Sequence, residues 1–553
     1  MPAFFENLSA ISILFPYDPN HPGCYRPVLS CLMISMPQYV HEGKRCFSQP
    51  PAFPLGSEEE KRIFKALQRE LTVQFQQVFP DRLASKTVVI VPSMSVDHEI
   101  LTKVKGHVYY EERMLCLLML LRMPQTNIVF VSSLPIDQVT IDYYLHLLPG
   151  IPGHHARQRL TMLSCYDASA KPLTEKILKR PRLINRIRQR ISDAQHCHLV
   201  CFNVTESERT LAVQLEIPVY GCDPDLLYLG SKTGSRTLFR NCDTPMPDGV
   251  ENLHTQNEIA DALYLLKQKN PFLRKAVIKI NEGFGGEGNA VYTYQSSAGV
   301  PEMKEIIDQS LPCIQIVADK VNYKQFFKKF EELGGIVEAF IDGDIKASPS
   351  VQCRINPLGE IEIISTHDQL LSGEESQVFI GASFPASTEY SVEIATMATH
   401  IARRMALLGV LGRFSIDFMS VFKNNEWTHY AIEINLRKGG TTHPFLMLQF
   451  LTAGIYDAGT GTYIMPNGQH RYYFASDNIF SPAYIGLTPS DLIDIAIFHG
   501  LMYDSTTQEG VMFHLIGALS QYGKLGMVCI AASHEHARML YEKTVATLEY
   551  ECS

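Results

Sequence analysis

The sequence has no long hydrophobic run. Its longest unbroken apolar stretch is Met114 to Leu121, whereas a membrane-spanning helix needs about 20 such residues, so no membrane segment is expected. A basic excess is missing too. Lys and Arg number 49 against 58 Asp and Glu, a net charge of −9, which gives no reason to expect nucleic acid or an anionic membrane as partner. None of the 13 cysteines forms a CxxC pair, and the N-terminal run MPAFFENLSAISILFPYDP carries an early acid and no basic flank before its apolar part. That is not the layout of a secretory signal. Reduced thiols and a cytoplasmic location are expected. Internal repeats and low-complexity tracts are also missing.

What is present is ordinary globular material, with 46% apolar and 19% charged residues, enough to bury real cores. At roughly 100–200 residues per domain, 553 residues suggest three or four domains. Residues 1–85 hold many prolines and one helical stretch, Glu58 to Val78, and their fold is left open. Val88–Val91, Ile128–Val131 and Leu199–Phe202 are short continuous apolar runs, each suited to a strand covered on both faces. A helical stretch, Glu111 to Leu121, lies between the first two. This rhythm over 86–228 predicts a Rossmann-like parallel sheet. From Gly230 the pattern changes. Strands are predicted at Ala276–Ile280, Asn289–Tyr294, Gly335–Ile341, Ser350–Ile355, Ile361–Thr366, Arg413–Ser420 and Trp427–Ile434, with a helix at Ser391–Leu408. The expectation is an α+β module over 229–452 and a smaller αβ domain over 453–553, so α/β and α+β in one multidomain chain.

Two constellations carry chemistry. In the first, Lys279 is followed by Gly283, Gly285, Gly286 and Gly288. Three of these glycines satisfy GxGxxG, a weak signal alone. A dinucleotide fingerprint needs a helix after the glycines; here the β-prone run AVYTY follows instead. Strand–glycines–strand is a hairpin whose amides can close over phosphates, with Lys279 as a point charge. In the second, alternation along Arg413–Phe418 puts Arg413, Ser415 and Asp417 on one strand face, and Glu433, Asn435 and Arg437 share another. If the two strands pair, Asp417, Glu433 and Asn435 converge as hard oxygen ligands suited to Mg²⁺. The nearby arginines could hold phosphate or carboxylate.

These residues resemble the ATP-grasp superfamily. Asp417, Glu433 and Asn435 look like its metal site, and Lys279 with its loop like its second phosphate-binding lysine and flexible lid. Gly230–Arg236, with Lys232, looks like the first ATP-binding lysine segment, and Thr244–Pro247 like the stretch that follows it. Gly335–Gly343 resembles the hinge that receives adenine, where Glu338, Phe340 and Ile341 would line the base and Asp344 would reach the ribose. Asp344 stands where the family often has Glu, and Phe284-Gly285 where a small polar residue is common. Tyr110–Arg113, Ser132–Ile136, Ser348–Gln352, Ser365–Gln369, Glu433–Pro444 and Gly510–His514 resemble the pre-ATP-grasp peptide ligases of the pheganomycin type. The resemblance covers about 86–553.

The resemblance implies an enzyme that uses ATP and Mg²⁺ (or Mn²⁺) to phosphorylate a carboxylate and join it to an amine. Lys232 and Lys279 would hold the α- and β-phosphates, Arg413 would sit near the γ-phosphate and Arg437 near the carboxylate or acyl phosphate. Gly439, Gly440, Thr441 and Thr442 would nest the acyl phosphate, and His443 or His367 would assist proton transfer. An amino acid or peptide is the expected small-molecule partner, and a homodimer the expected assembly. A small-molecule kinase and a non-catalytic ATP sensor or scaffold stay open beside the ligase. Elsewhere the bland readings lead. The basic run Lys176–Arg190 reads as a solvated helix face, the triplets His196–His198 and His534–His536 lack further zinc ligands, and Glu111 with Arg113 reads as a helix-starting ion pair.

Overall fold

The computed structural model describes residues 53–96, 98–282, 288–295, 300–317, 321–372 and 378–552. Four parallel strands come first: β1 (Lys86–Val91), β2 (Thr126–Ser132), β3 (Leu160–Ser164) and β4 (Cys197–Cys201), in the order β3-β2-β1-β4. Every residue of β1 is buried, because both faces of the sheet are covered. Val88 and Ile90 point into one core, and Val89 and Val91 into another with Ile177, Ile184 and Leu211. This is why the run is apolar throughout instead of alternating. The helix Glu58–Gln77 packs on the same layer through Phe64 and Leu67, and Gln68 exchanges hydrogen bonds with the backbone of Val219 at 2.8 and 3.0 Å.

The stretch expected to be an α-helix at Glu111–Leu121 is instead part of a 3₁₀ helix, His107–Arg122. With three residues per turn, side chains at i and i+3 eclipse. The Arg113 guanidinium accordingly lies over the Tyr110 ring, 4.7 Å from its centroid. The successive residues Glu111, Glu112 and Arg113 point in three directions, to Ser133, Gly517 and Asp477.

A five-stranded antiparallel sheet follows, made of β5 (Gly249–Leu253), β6 (Lys275–Ile280), β7 (Asn289–Thr293), β8 (Gln315–Ile316) and β9 (Gly335–Ala339), in the order β5-β9-β6-β7-β8. A nine-stranded antiparallel sheet comes next, built from β10 (Ile345–Ala347), β11 (Pro349–Ile355), β12 (Ile361–Ser372), β13 (Val378–Phe384), β14 (Gly412–Lys423) and β15 (Glu426–Asn435). After a small ribbon of β16 (Ile455–Asp457) and β17 (Thr462–Ile464), the sheet gains β18 (Tyr472–Phe480), β19 (Gly510–His514) and β20 (Lys524–Ala531). β18 pairs with β13 through Ala382↔Ala475. The strands of the tail therefore extend the preceding sheet. These sheet counts are of the described residues. Among them, no helix is long and apolar enough to cross a membrane.

Candidate active site

β14 and β15 pair antiparallel with Asp417 opposite Glu433 and Ser415 opposite Asn435. Asn435 donates from Nδ2 to Asp417 Oδ2 at 2.8 Å and to Glu433 Oε1 at 3.3 Å. Gln369 on β12 donates to Asp417 Oδ1 at 2.9 Å, and the Ser350 hydroxyl also bonds Asp417. Burial and the facing Glu433 push the Asp417 carboxyl above its usual range. Burial alone would do the same to Glu433, but Lys232, Lys279 and Arg437 overcome it and hold that carboxyl low. Two half-buried carboxylates facing one another across a strand pair repel, and a divalent cation between them would relieve the repulsion. The donor set of two carboxylates and an amide that can turn its oxygen inward suits Mg²⁺.

The cations come from other elements. Lys232 is the first residue of the helix Lys232–Asn241, whose N-cap Ser231 accepts from Gly234 N at 3.0 Å. The turn forces Gly234 against the Tyr228 carbonyl; a Cβ there would lie 1.9 Å from that oxygen. Lys232 Nζ pairs with Glu433. Asn281, just past β6, accepts from Thr233 N at 3.0 Å and Thr233 Oγ1 at 2.7 Å, which ties this helix start to the root of the glycine hairpin. Gly288 closes the hairpin's other side, its carbonyl accepting from Ile280 N at 2.9 Å. Gly283, Gly285 and Gly286 lie outside the described residues. Lys279 on β6 pairs with Glu338 on β9, and Arg236 reaches the same carboxylate at 3.3 Å. Glu338 is only 3% exposed, held by two cations instead of lying open to a base. Phe340, Ile341 and Asp344 form the crossover between the two antiparallel sheets. Phe340 and Ile341 are half-buried and Asp344 exposed, and Lys346 Nζ lies 4.8 Å from the centre of the Phe340 ring.

After β15 the chain turns through Arg437–Gly440 into the helix Thr442–Thr452. Gln352 on β11 clamps this turn, donating to Thr441 Oγ1 at 2.8 Å and accepting from Thr442 Oγ1 at 3.3 Å. Gly439 N donates to Thr442 Oγ1 at 3.0 Å. His443 Nε2 meets His514 Nε2 at 2.9 Å, a contact that requires one ring to donate and the other to accept. Burial, the neighbouring imidazole and Arg113 push His443 well down, and burial with Arg113 lowers His514 to about 3. The pair is neutral.

Several expectations are corrected. Arg413 does not join the acidic cluster but sits among Arg354, Glu362, Tyr220 and Cys116. It shares a strand face with Asp417, yet four residues of strand span about 13 Å. His367 is fully buried, with Nε2 2.6 Å from Tyr473 Oη, too deep to meet a substrate. Lys176 is not on a solvated face: it is 1% exposed and donates to Ser133 Oγ at 2.8 Å, although Arg182, Arg186 and Arg190 are exposed. His534 and His536 lie in the first turn of the helix His534–Glu551. Glu111 and Arg113 do not pair. Glu111 accepts from Ser133 N and Oγ, each at 2.6 Å, while Arg113 Nη1 reaches Asp477 Oδ2 on β18 at 3.2 Å. Asp477 and Asn281 were not singled out in the sequence. Gln369 and Ser350 lay within quoted stretches without a role, though the β11 and β12 alternation could have placed them beside Asp417.

Comparison with known proteins adds the following. Residues 300–459 match the family described as IQCH-like, ATP-grasp, and residues 491–544 match the PGM1 C-terminal domain. The chain is 27% identical over 470 residues to the L-propargylglycine–L-glutamate ligase of Streptantibioticus cattleyicolor, covering 82% of this chain and 92% of that protein. It is 21% identical over 521 residues to IQ motif-containing protein H of Danio rerio, covering 85% of this chain and 49% of that protein. Among solved structures, the biotin carboxylase of Campylobacter jejuni superposes with a TM-score of 0.50 at 13% identity, covering 85% of this chain and 95% of that one; at that identity the likeness speaks to the fold.

Proposed function

We propose that this chain, an ATP-grasp protein by its fold and by the match over residues 300–459, uses ATP to join a carboxylate to an amine. One observation carries the reading. Lys232 from a helix start, Lys279 from the five-stranded sheet and Arg437 from the turn after β15 all act on Glu433 of the nine-stranded sheet, and Lys232 and Arg437 act on Asp417 as well. Phosphates bound there would take over the lysines, while Asp417, Glu433 and Asn435 would hold Mg²⁺. The metal, when bound, supplies positive charge against the phosphate oxygens.

Direct amide formation stalls because oxide is a very poor leaving group. In the proposed reaction a carboxylate oxygen attacks the γ-phosphorus, the new O–P bond forms, and the bond to the bridging oxygen breaks with its electron pair leaving on ADP. The amine then attacks the acyl carbon, phosphate leaves, and the amine loses a proton. Arg437 would orient the carboxylate. The Gly439–Thr442 turn, braced by Gln352, would present amides and hydroxyls to the acyl phosphate. The glycine hairpin would close over it and exclude water. Lys232 and Lys279 would bind the α- and β-phosphates. His443, buried and neutral against His514, shapes the wall; it is given no proton to move. That the bacterial relative is named for ligating two amino acids supports an amide-forming reaction here, and a cytoplasmic supply of ATP fits it.

The test is ADP release from the purified protein with MgATP and pools of amino acids and short peptides, with products weighed by mass spectrometry and Glu433→Gln as control. A product equal to two substrates minus water, absent with the variant, supports the ligase. ADP release with a stable phosphorylated product and no amide would overturn it in favour of a kinase.

A further inference from the structure

Beside the Gly439–His443 turn lies a pocket lined by Gly381, Gly440, His443, Ser476, Asp477 and His514. As it stands it has room for little more than a water. Asp477, from β18, is one of its lining residues, and Arg113, from the 3₁₀ helix, meets Asp477 through one contact of 3.2 Å. Their side chains are 6% and 11% exposed. The guanidinium lies between the Tyr110 and Phe202 rings, 4.7 and 4.9 Å from their centres. Its other contacts are weak: Nε to Tyr110 O at 3.4 Å and Nη2 to the Met94 sulfur at 3.6 Å. A buried guanidinium with five donors is thus served by one carboxylate oxygen, where a fork-to-fork pair would use two.

The surrounding charges have a direction. Lys524 donates to Tyr110 Oη at 2.6 Å and feels both Asp477 and Arg113. Arg113 is close enough to Arg437 to be felt there, and Arg437 acts on Asp417 and Glu433. The pocket itself borders the turn that follows Arg437 through Gly440 and His443, and Asp477 in its lining carries the negative charge.

We infer that this pocket docks the head group of an α-amino acid, its carboxylate on Arg113 and its ammonium on Asp477, as the carboxylate-donating substrate of the reaction proposed above. The inference rests on that ligase reading. The physical reason is charge balance. Parting a buried ion pair strands two charges, but a zwitterion inserted between them gives each a new partner. The neutral His443–His514 pair adds no charge to disturb the exchange. A ligand carrying only one of the two groups leaves Arg113 or Asp477 unpaired in a buried setting.

The experiment is thermal unfolding of the full chain with MgADP present, with each proteinogenic L-α-amino acid added in turn. The strongest binder is then repeated as its N-acetyl and α-carboxamide forms. The expected result is a rise in Tm with at least one amino acid, lost with both blocked forms. Asp477→Asn should weaken that amino acid by about tenfold or more while keeping the Tm rise due to MgADP, which shows the variant is folded. No rise with any amino acid, a rise that survives blocking, or one that survives Asp477→Asn overturns the inference. The two readings fail separately. Binding that meets these tests without amide formation leaves the pocket standing and sinks the ligase. Amide formation from substrates whose binding ignores Asp477 does the reverse.

Discussion

Around Asp417 and Glu433, like charges are packed face to face and their counter-ions come from elements that lie elsewhere in the chain, Lys232 on a helix and Lys279 on another sheet. Around Arg113 and Asp477, opposite charges are already joined and the adjacent imidazoles are neutral. The first region holds electrostatic stress that a cation and phosphates would relieve. The second is satisfied and must be opened. The difference teaches that ionisable groups can meet a ligand in two ways: an unbalanced cluster gains a partner outright, whereas a balanced buried pair can admit only a ligand that re-partners both of its charges.

Four measurements would sharpen or break that contrast. The largest effect is expected at the satisfied end. Arg113→Met strands Asp477 and should cost about 3–5 kcal/mol of stability, whereas the double variant Arg113→Met, Asp477→Leu should recover most of it; chemical denaturation gives both values. Equal losses in the single and double variants would mean the pair is not what holds the 3₁₀ helix to β18. At the stressed end, Glu433→Gln should lower kcat for ADP release by roughly 10²–10³-fold, the scale of losing one preorganised electrostatic group, and should also lower stability, because it leaves Lys232 without its partner and Lys232, Lys279 and Arg437 outweigh the repulsion from Asp417.

The third concerns pH. Burial pushes Glu112 up to about 8 from an ordinary 4.5, outweighing the backbone amides of Gly517 and Ile516. Above about 4.5 the unfolded chain gives up this proton while the folded chain keeps it. Its contribution is therefore full at low pH and is lost as pH rises towards 8, with a slope of up to about 1.4 kcal/mol per pH unit. Glu112→Gln should flatten that slope in denaturation curves taken between these values. His443 and His514 have the opposite sign. Both are pushed below the ordinary 6.5, so their contribution is present above 6.5 and is lost as pH falls below it. The smallest effect belongs to Arg413. At about 13 Å through water its charge is worth roughly a twofold change, so Arg413→Gln should leave the KM for ATP within about that range. A large change would return Arg413 to the phosphate site.

Much of the fold was legible because hydrophobic period is a local property. VVIV predicted a strand covered twice, and it is central in a parallel sheet. RFSIDF and YAIEIN alternate, and they pair with Asp417 opposite Glu433. The 3₁₀ form of His107–Arg122 was not legible, since a stretch buried nearly all round has no polar face to reveal its period.

By itself, then, the sequence determined which side chains of its clearly alternating strands share a face, because backbone geometry fixes this within a few residues. It also determined the Asp417–Glu433–Asn435 set, which needs only two consecutive strands to pair. The tertiary structure alone decided the rest. It showed that Arg413 is too far along its strand, that Glu338 is taken by Lys279 and Arg236, and that Arg113 finds its partner 364 positions away at Asp477. Charges select partners by distance and burial in the folded chain, and neither quantity is written in the spacing of residues along it.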